Sequence, residues 1–124
     1  MKKVINSNEA PGAIGPYSQA IEAGGMVFVS GQLPIDAKTG EMPDGIENQT
    51  RQSLENMKAI LAAAGLTMDN VVKTTVFLQD MSLFAGMNGV YATFFSGDFP
   101  ARCAFAVKQL PKDALVEIEC IAVR

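Results

Sequence analysis

Arg102, Glu117 and Glu119 stand in two stretches that are otherwise almost entirely apolar, Pro100-Ala101-Arg102-Cys103-Ala104-Phe105-Ala106-Val107 and Val116-Glu117-Ile118-Glu119-Cys120-Ile121. A guanidinium grips a carboxylate through a planar pair of hydrogen bonds, and a carboxylate held near such a ligand can take a proton from water. The chemistry on offer is acid-base work on a small anionic molecule. The same residue types also allow a plain cross-strand ion pair, which contributes little to stability.

Residues 99–107 and 115–123 are rich in β-formers, and residues 108–114, with Pro111 and Asp113, read as their connection. An antiparallel hairpin is therefore expected, with Arg102 opposite residues 118–120 and Glu117 a short diagonal away. Side-chain alternation would then put Cys103, Phe105 and Val107 on a core face with Val116, Ile118 and Cys120. Arg102, Ala104 and Ala106 would share the other face with Glu117, Glu119 and Ile121, leaving a small alanine-lined space between the charges.

Composition removes other chemistries. The 124 residues suit one domain, 1–124, and contain no histidine, so zinc, iron and Ser-His-Asp arrangements lose their usual ligand or base. The acids follow no calcium-loop spacing, and no metal or other cofactor is expected. Net charge is −3, without a basic run or aromatic-basic interleaving, so nucleic acid is not expected as a partner. The first residues lack an apolar signal-type run and no stretch reaches membrane-spanning length, so no membrane association and a cytoplasmic location are expected. Cys103 and Cys120 read as reduced core thiols.

The elements that must position the charged residues can be read in order. Residues 10–19 form a Pro/Gly loop. Residues 20–23 and 26–30 read as a hairpin around Gly24-Gly25, with Gly31 ending the second strand. Leu54, Met57, Ile60, Leu61 and Ala64 recur at helical spacing within 46–64, and Gly65 suits the helix end. Residues 71–78 form a β-branched strand, so strand, helix and strand succeed one another as in a crossover unit. Ser82 reads as the N-cap of a second helix through Phe95, with Phe84, Met87, Tyr91 and Phe94 or Phe95 on its apolar stripe. The fold class is α+β, a mixed sheet with two helices on one face. Its other face would carry Val27 or Phe28, Val76 or Phe77, Ile121 and Val123, a patch that calls for oligomerisation and for a site at the seam between subunits.

The chain resembles the RidA/YjgF/YER057c/UK114 family of reactive-intermediate deaminases. The likeness rests on Ala-Ile-Gly-Pro-Tyr-Ser-Gln-Ala at 13–20, Val-Ser-Gly-Gln-Leu-Pro at 29–34, Gln52-Ser53-Leu54-Glu55-Asn56, Val72-Lys73-Thr74-Thr75-Val76-Phe77-Leu78 with Asp80, Met87-Asn88 to Tyr91, Pro100-Ala101-Arg102 and Val116-Glu117-Ile118-Glu119. It implies a chorismate-mutase-like fold and a homotrimer enclosing a central barrel. It also implies hydrolysis of 2-imino acids, such as 2-iminobutanoate and 2-iminopropanoate, to 2-keto acids and ammonia. On the matching positions, Arg102 holds the substrate carboxylate and Glu117 positions the hydrolytic water. Tyr17, Ser30, Gly31, Phe84 and Asn88 become pocket or supporting residues, and Glu119 a supporting one. Many family members carry Arg-Ser-Cys where this chain has Arg102-Cys103-Ala104, so Ala104 stands at the usual pocket cysteine and offers its backbone carbonyl alone. The segment 95–100 is also shorter than in some relatives. Two other roles stay open at this point: a regulatory protein that binds small carboxylates, and an endoribonuclease or translation inhibitor.

Overall fold

The computed structural model describes residues 1–124. Its strands are β1 (Lys3–Ile5), β2 (Ala20–Ala23), β3 (Met26–Gln32), β4 (Val71–Leu78), β5 (Ala101–Ala106) and β6 (Val116–Val123). They form one sheet in the order β1-β2-β3-β6-β4-β5, antiparallel throughout except for the parallel β4–β5 pair. Helices α1 (Ile46–Ala63) and α2 (Phe84–Tyr91) cover one face. The expected α+β class, a mixed sheet with two helices on one face, is what is found.

The core lies between α1 and the sheet. Leu54, Met57, Ile60 and Leu61, spaced to one helical stripe, are fully buried against Val27, Val76, Leu78, Val116 and Ile118. Just past the helix, Gly65 takes φ 77°, which lets the Leu66 N–H reach back 2.9 Å to the Leu61 carbonyl. Asn56, also buried, donates to the carbonyls of Leu33 and Ile35 at 3.1 and 2.9 Å and so ties the chain leaving β3 to α1. No helix is long and apolar enough to cross a membrane.

The expected hairpin of residues 99–107 and 115–123 does not form. β4 lies between the two strands: Arg102 pairs with Thr74 in the parallel ladder, and Glu117 pairs with Phe77 in the antiparallel one. The connection is long enough to step over a strand, and the eight-residue β4, rich in Val and Thr, accepts a ladder on both sides. That insertion reverses the predicted facing of β5. Arg102 and Ala104 lie half-buried on the helix side, whereas Cys103 and Phe105 are exposed on the open side. Cys103 is therefore not a core thiol; Cys120 is, and burial pushes its thiol up to about 12.

Three boundaries also differ. The second helix, expected through Phe95, ends at Tyr91 and runs on as a 3-10 turn over Ala92–Phe94, Phe95 being extended. Ser82 is not the N-cap: Asp80 is, its carboxylate accepting the Ser82 N–H at 3.1 Å ahead of a 3-10 turn that runs into α2. Gly31 does not end β3, which continues to Gln32 through a break in the β3–β6 register after Val29. Sequence alone cannot count the extra residue of a bulge.

The open face is apolar as expected. Phe28 and Phe105 are 42% and 45% exposed there, Val4 and Val123 are exposed as well, and the rings of Phe77 and Phe105 meet edge to face at 5.6 Å. Nothing in the chain covers them.

Candidate active site

Each charged centre is assembled separately. Phe84, Asn88 and Tyr91 are four and three residues apart on α2, so they share one face of that helix. Arg102 reaches up to this face from β5. Its Nη1 donates to Asn88 Oδ1 at 2.7 Å, and the guanidinium carbon lies 5.4 Å from the Phe84 ring centre and 4.9 Å from that of Tyr91. Tyr91 is itself fixed from below, its hydroxyl 2.7 Å from Thr74 Oγ1 in a buried contact, and burial raises its phenol above the ordinary value. The Nε and Nη2 groups of Arg102 have no protein partner. They face a cleft bordered by Phe99 and Pro100, which suits a carboxylate. Ala104 follows on the same side of β5, packed against the core.

The carboxylate centre forms around the irregular end of β3. Gly31 lies directly under Glu117: a Cβ at this position would sit 2.8 Å from Glu117 Oε2 and 2.9 Å from its Cδ. Gly31 is thus required by the close approach of the acid, its φ being ordinary. Glu117 has no cation within ion-pairing distance. Burial first, and the neighbouring Glu119 second, raise its carboxyl above the ordinary carboxylate value. An acid in this setting can exchange protons with water closer to neutrality than a surface glutamate.

Tyr17, Ser30, Gly31, Glu117 and Glu119 border one open cleft of about 960 Å³. A four-carbon acid would occupy only part of it. Ser30 is an anchor: its hydroxyl donates to the Ser18 carbonyl at 2.6 Å and its N–H to the Gln19 carbonyl at 2.9 Å, holding the loop that presents Tyr17.

The predicted residues therefore fall into two groups. Arg102, Asn88, Phe84 and Ala104 gather on the helix side of the sheet, and Tyr17, Ser30, Gly31, Glu117 and Glu119 gather in the other cleft. The chain does not bring Arg102 and Glu117 together, which corrects the expectation that they share one alanine-lined face. The cause is the insertion of β4.

Three further residues contribute to these centres. Tyr91 stands on the core stripe and closes the Met87-Asn88 to Tyr91 motif, and its spacing from Asn88 makes it a neighbour of whatever Asn88 holds. Buried Gln19 binds Ser7 through both its backbone groups and donates to the Pro11 carbonyl at 2.8 Å, so it shapes the Tyr17 loop. A glutamine inside a Pro/Gly segment is a usable signal for such a role. Lys112 borders the Glu117 cleft, and no local pattern announces it. No three His, Cys, Asp or Glu side chains gather as a metal-binding group.

Comparison with known proteins points one way. A family model described as Endoribonuclease L-PSP matches residues 7–124. A RutC family protein of Pyrococcus horikoshii is 58% identical over 123 residues, covering 98% of each chain. The 2-iminobutanoate/2-iminopropanoate deaminase of Escherichia coli is 50% identical over 127 residues, covering 100% of this chain and 99% of that one. Among solved structures, Escherichia coli TdcF with bound serine superposes with a TM-score of 0.96 at 50% identity, covering 98% of each chain.

Proposed function

The chain belongs to the RidA/YjgF/YER057c/UK114 family, and from that premise we propose that it hydrolyses small 2-imino acids to 2-keto acids and ammonia. The observation that carries the reading is Arg102, a guanidinium clamped by Asn88 and two rings with part of its fork left free, in a chain half identical to a 2-iminobutanoate/2-iminopropanoate deaminase.

The working unit in this proposal is a homotrimer with a chorismate-mutase-like arrangement, the open sheet faces enclosing a central barrel. Arg102 of one copy meets Glu117 of the next across the seam. Three features support the seam: the uncovered apolar face, the openness of the Glu117 cleft, and the placement of the two centres on opposite faces of one sheet. The number three rests on the family.

The steps balance without a redox partner. Arg102 pairs with the carboxylate and fixes C2 of the imine beside the partner subunit's Glu117. Glu117 accepts a proton as water attacks C2; the C–O bond forms while the C=N π pair moves to nitrogen, which takes a proton. The carbinolamine then loses ammonia: Glu117 relays the hydroxyl proton to the amine nitrogen, the C–N bond breaks with its electron pair leaving on NH3, and C=O forms. An imine is electrophilic enough that positioning and proton transfer are the principal needs. Tyr17 orders the water or carboxylate, the residue 104 carbonyl receives the imine N–H, and Glu119 tunes Glu117.

A second reading, a regulatory protein for small carboxylates, draws on the Arg102 centre being complete within one chain. The two separate in one assay. A threonine dehydratase generates 2-iminobutanoate in situ, and 2-ketobutanoate release is followed above the spontaneous rate. Acceleration that disappears in Glu117→Gln supports the deaminase; no acceleration with any small imino acid, alongside measurable 2-ketobutanoate binding, replaces it with the regulatory role.

A further inference from the structure

Between β5 and β6 the backbone adopts a conformation that lysine ordinarily avoids. Lys112 has φ 57° and ψ 26°, and Asp113 has φ 55°. In the left-handed region Cβ crowds the following carbonyl oxygen; glycine escapes this, and Asp can offset it by local hydrogen bonding. Lysine can do neither. The turn is imposed by its surroundings: Leu110 and Ala114 are buried on either side, the Ala114 N–H bonds the Pro111 carbonyl at 3.2 Å, and the Leu115 N–H bonds Gln49 Oε1 at 2.8 Å. Glycine would fit this turn with less strain, so a lysine held here calls for a role of its side chain.

Lys112 borders the cleft that contains Glu117, Glu119 and Asp36, and it is the one basic residue there. No carboxylate lies within ion-pairing distance of it. An anion approaching this cleft meets three carboxylates on a chain of net charge −3. Repulsion of that kind slows entry and weakens binding before Arg102 can engage. We propose that Lys112 is a specificity-determining residue that draws carboxylate ligands past the acidic wall of the Glu117 cleft, the strained turn serving to hold its charge at the mouth. The ligand class rests on the deaminase reading; the electrostatic argument does not.

Calorimetric titration of the wild-type oligomer and its variants with 2-ketobutanoate tests this, at about 20 mM and about 500 mM salt, with imine turnover measured in parallel. At low salt, Lys112→Met weakens binding roughly threefold and Lys112→Glu roughly tenfold, while Lys112→Arg matches wild type. At high salt the differences close. Turnover at saturating imine is unchanged in Lys112→Met, the loss residing in KM. Lys112→Gly binds as weakly as Lys112→Met yet melts no lower than wild type, because it relieves the turn; that separates charge from folding.

Equal affinities for wild type, Lys112→Met and Lys112→Glu overturn the inference, as does a loss that Lys112→Arg shares or that high salt leaves intact. Salt-sensitive binding through Lys112 in a protein that adds nothing to imine hydrolysis overturns the deaminase reading alone. Imine turnover whose KM at low salt is the same in wild type, Lys112→Met and Lys112→Glu overturns this inference alone, and absence of both binding and turnover removes the two together.

Discussion

Arg102 and Glu117 leave opposite faces of one sheet. Arg102 is level with Thr74 and Glu117 with Phe77, and these two β4 residues, three apart, point to opposite sides. Thr74 is buried under α2, beside Tyr91, while Phe77 faces the open side with Phe105. A guanidinium and a carboxylate so divided can serve one substrate only if different copies of the chain supply them.

Mixed oligomers test that division. Arg102→Lys keeps charge but loses the planar fork, and Glu117→Gln keeps shape but loses the base, so each alone should lower turnover about 100-fold or more. Co-refolded in equal amounts, the two variants should regain about a quarter of wild-type activity, the chance that a seam draws an intact Arg102 and an intact Glu117 from its two chains. A site within one chain would regain none. Light scattering on the same samples should return about three chain masses.

Tyr91 should act through Arg102. Tyr91→Leu removes the ring beneath the guanidinium and should raise KM about threefold to thirtyfold, the range of a cation-π contact, with kcat changed less. Tyr91→Phe keeps the ring but strands the buried Thr74 hydroxyl, so denaturant titration should show a loss of about 1–2 kcal/mol with a smaller effect on KM. Equal kinetic losses in both variants would deny the stacking role.

Gly31→Ala should separate folding from catalysis. The added Cβ meets the far end of the flexible Glu117 side chain at 2.8 Å, and that side chain can swing away. Stability should therefore change by less than about 1 kcal/mol, while turnover falls at least tenfold because the displaced carboxylate no longer faces the water. A large drop in melting temperature would place the role of Gly31 in the fold.

The pH response follows from Glu117. Its carboxyl is raised above the ordinary value, and as the proposed base it must be ionised, so kcat/KM should rise with pH through a limb above the ordinary carboxylate value of 4.5. Glu119→Gln removes the like charge and should move that limb to lower pH. For stability the sign is opposite: a group whose folded value is raised contributes stability below its unfolded value and loses it as pH rises through the folded one. Glu117→Gln should therefore be more stable than wild type on the alkaline side of that window and show no such gain below it.

The helix α1 was legible because Leu54, Met57, Ile60 and Leu61 recur at a period only a helix satisfies, and Gly65 marks where it stops. The open face was legible because either strand parity leaves a large apolar residue on it, Phe28 or Val27, Phe77 or Val76. The motif residues pointed to an arginine, a glutamate and the loop around Tyr17. Ser82 misled because Asp80, two residues earlier, offers a better acceptor for its own N–H.

What sequence alone determined about this protein was the two helices, five of the six strands, the family and the candidate charged groups, since periodicity and local motifs are properties of neighbours along the chain; the short β1 (Lys3–Ile5) carries no such signal. The tertiary structure decided which of those groups meet. Strand order is settled by long-range pairing: once β4 enters between β5 and β6, Arg102 turns under α2, Cys103 turns out, and Glu117 keeps the open side. No local pattern of six or eight residues encodes that choice, because each strand's alternation is compatible with either neighbour and only the packing of the whole sheet selects one.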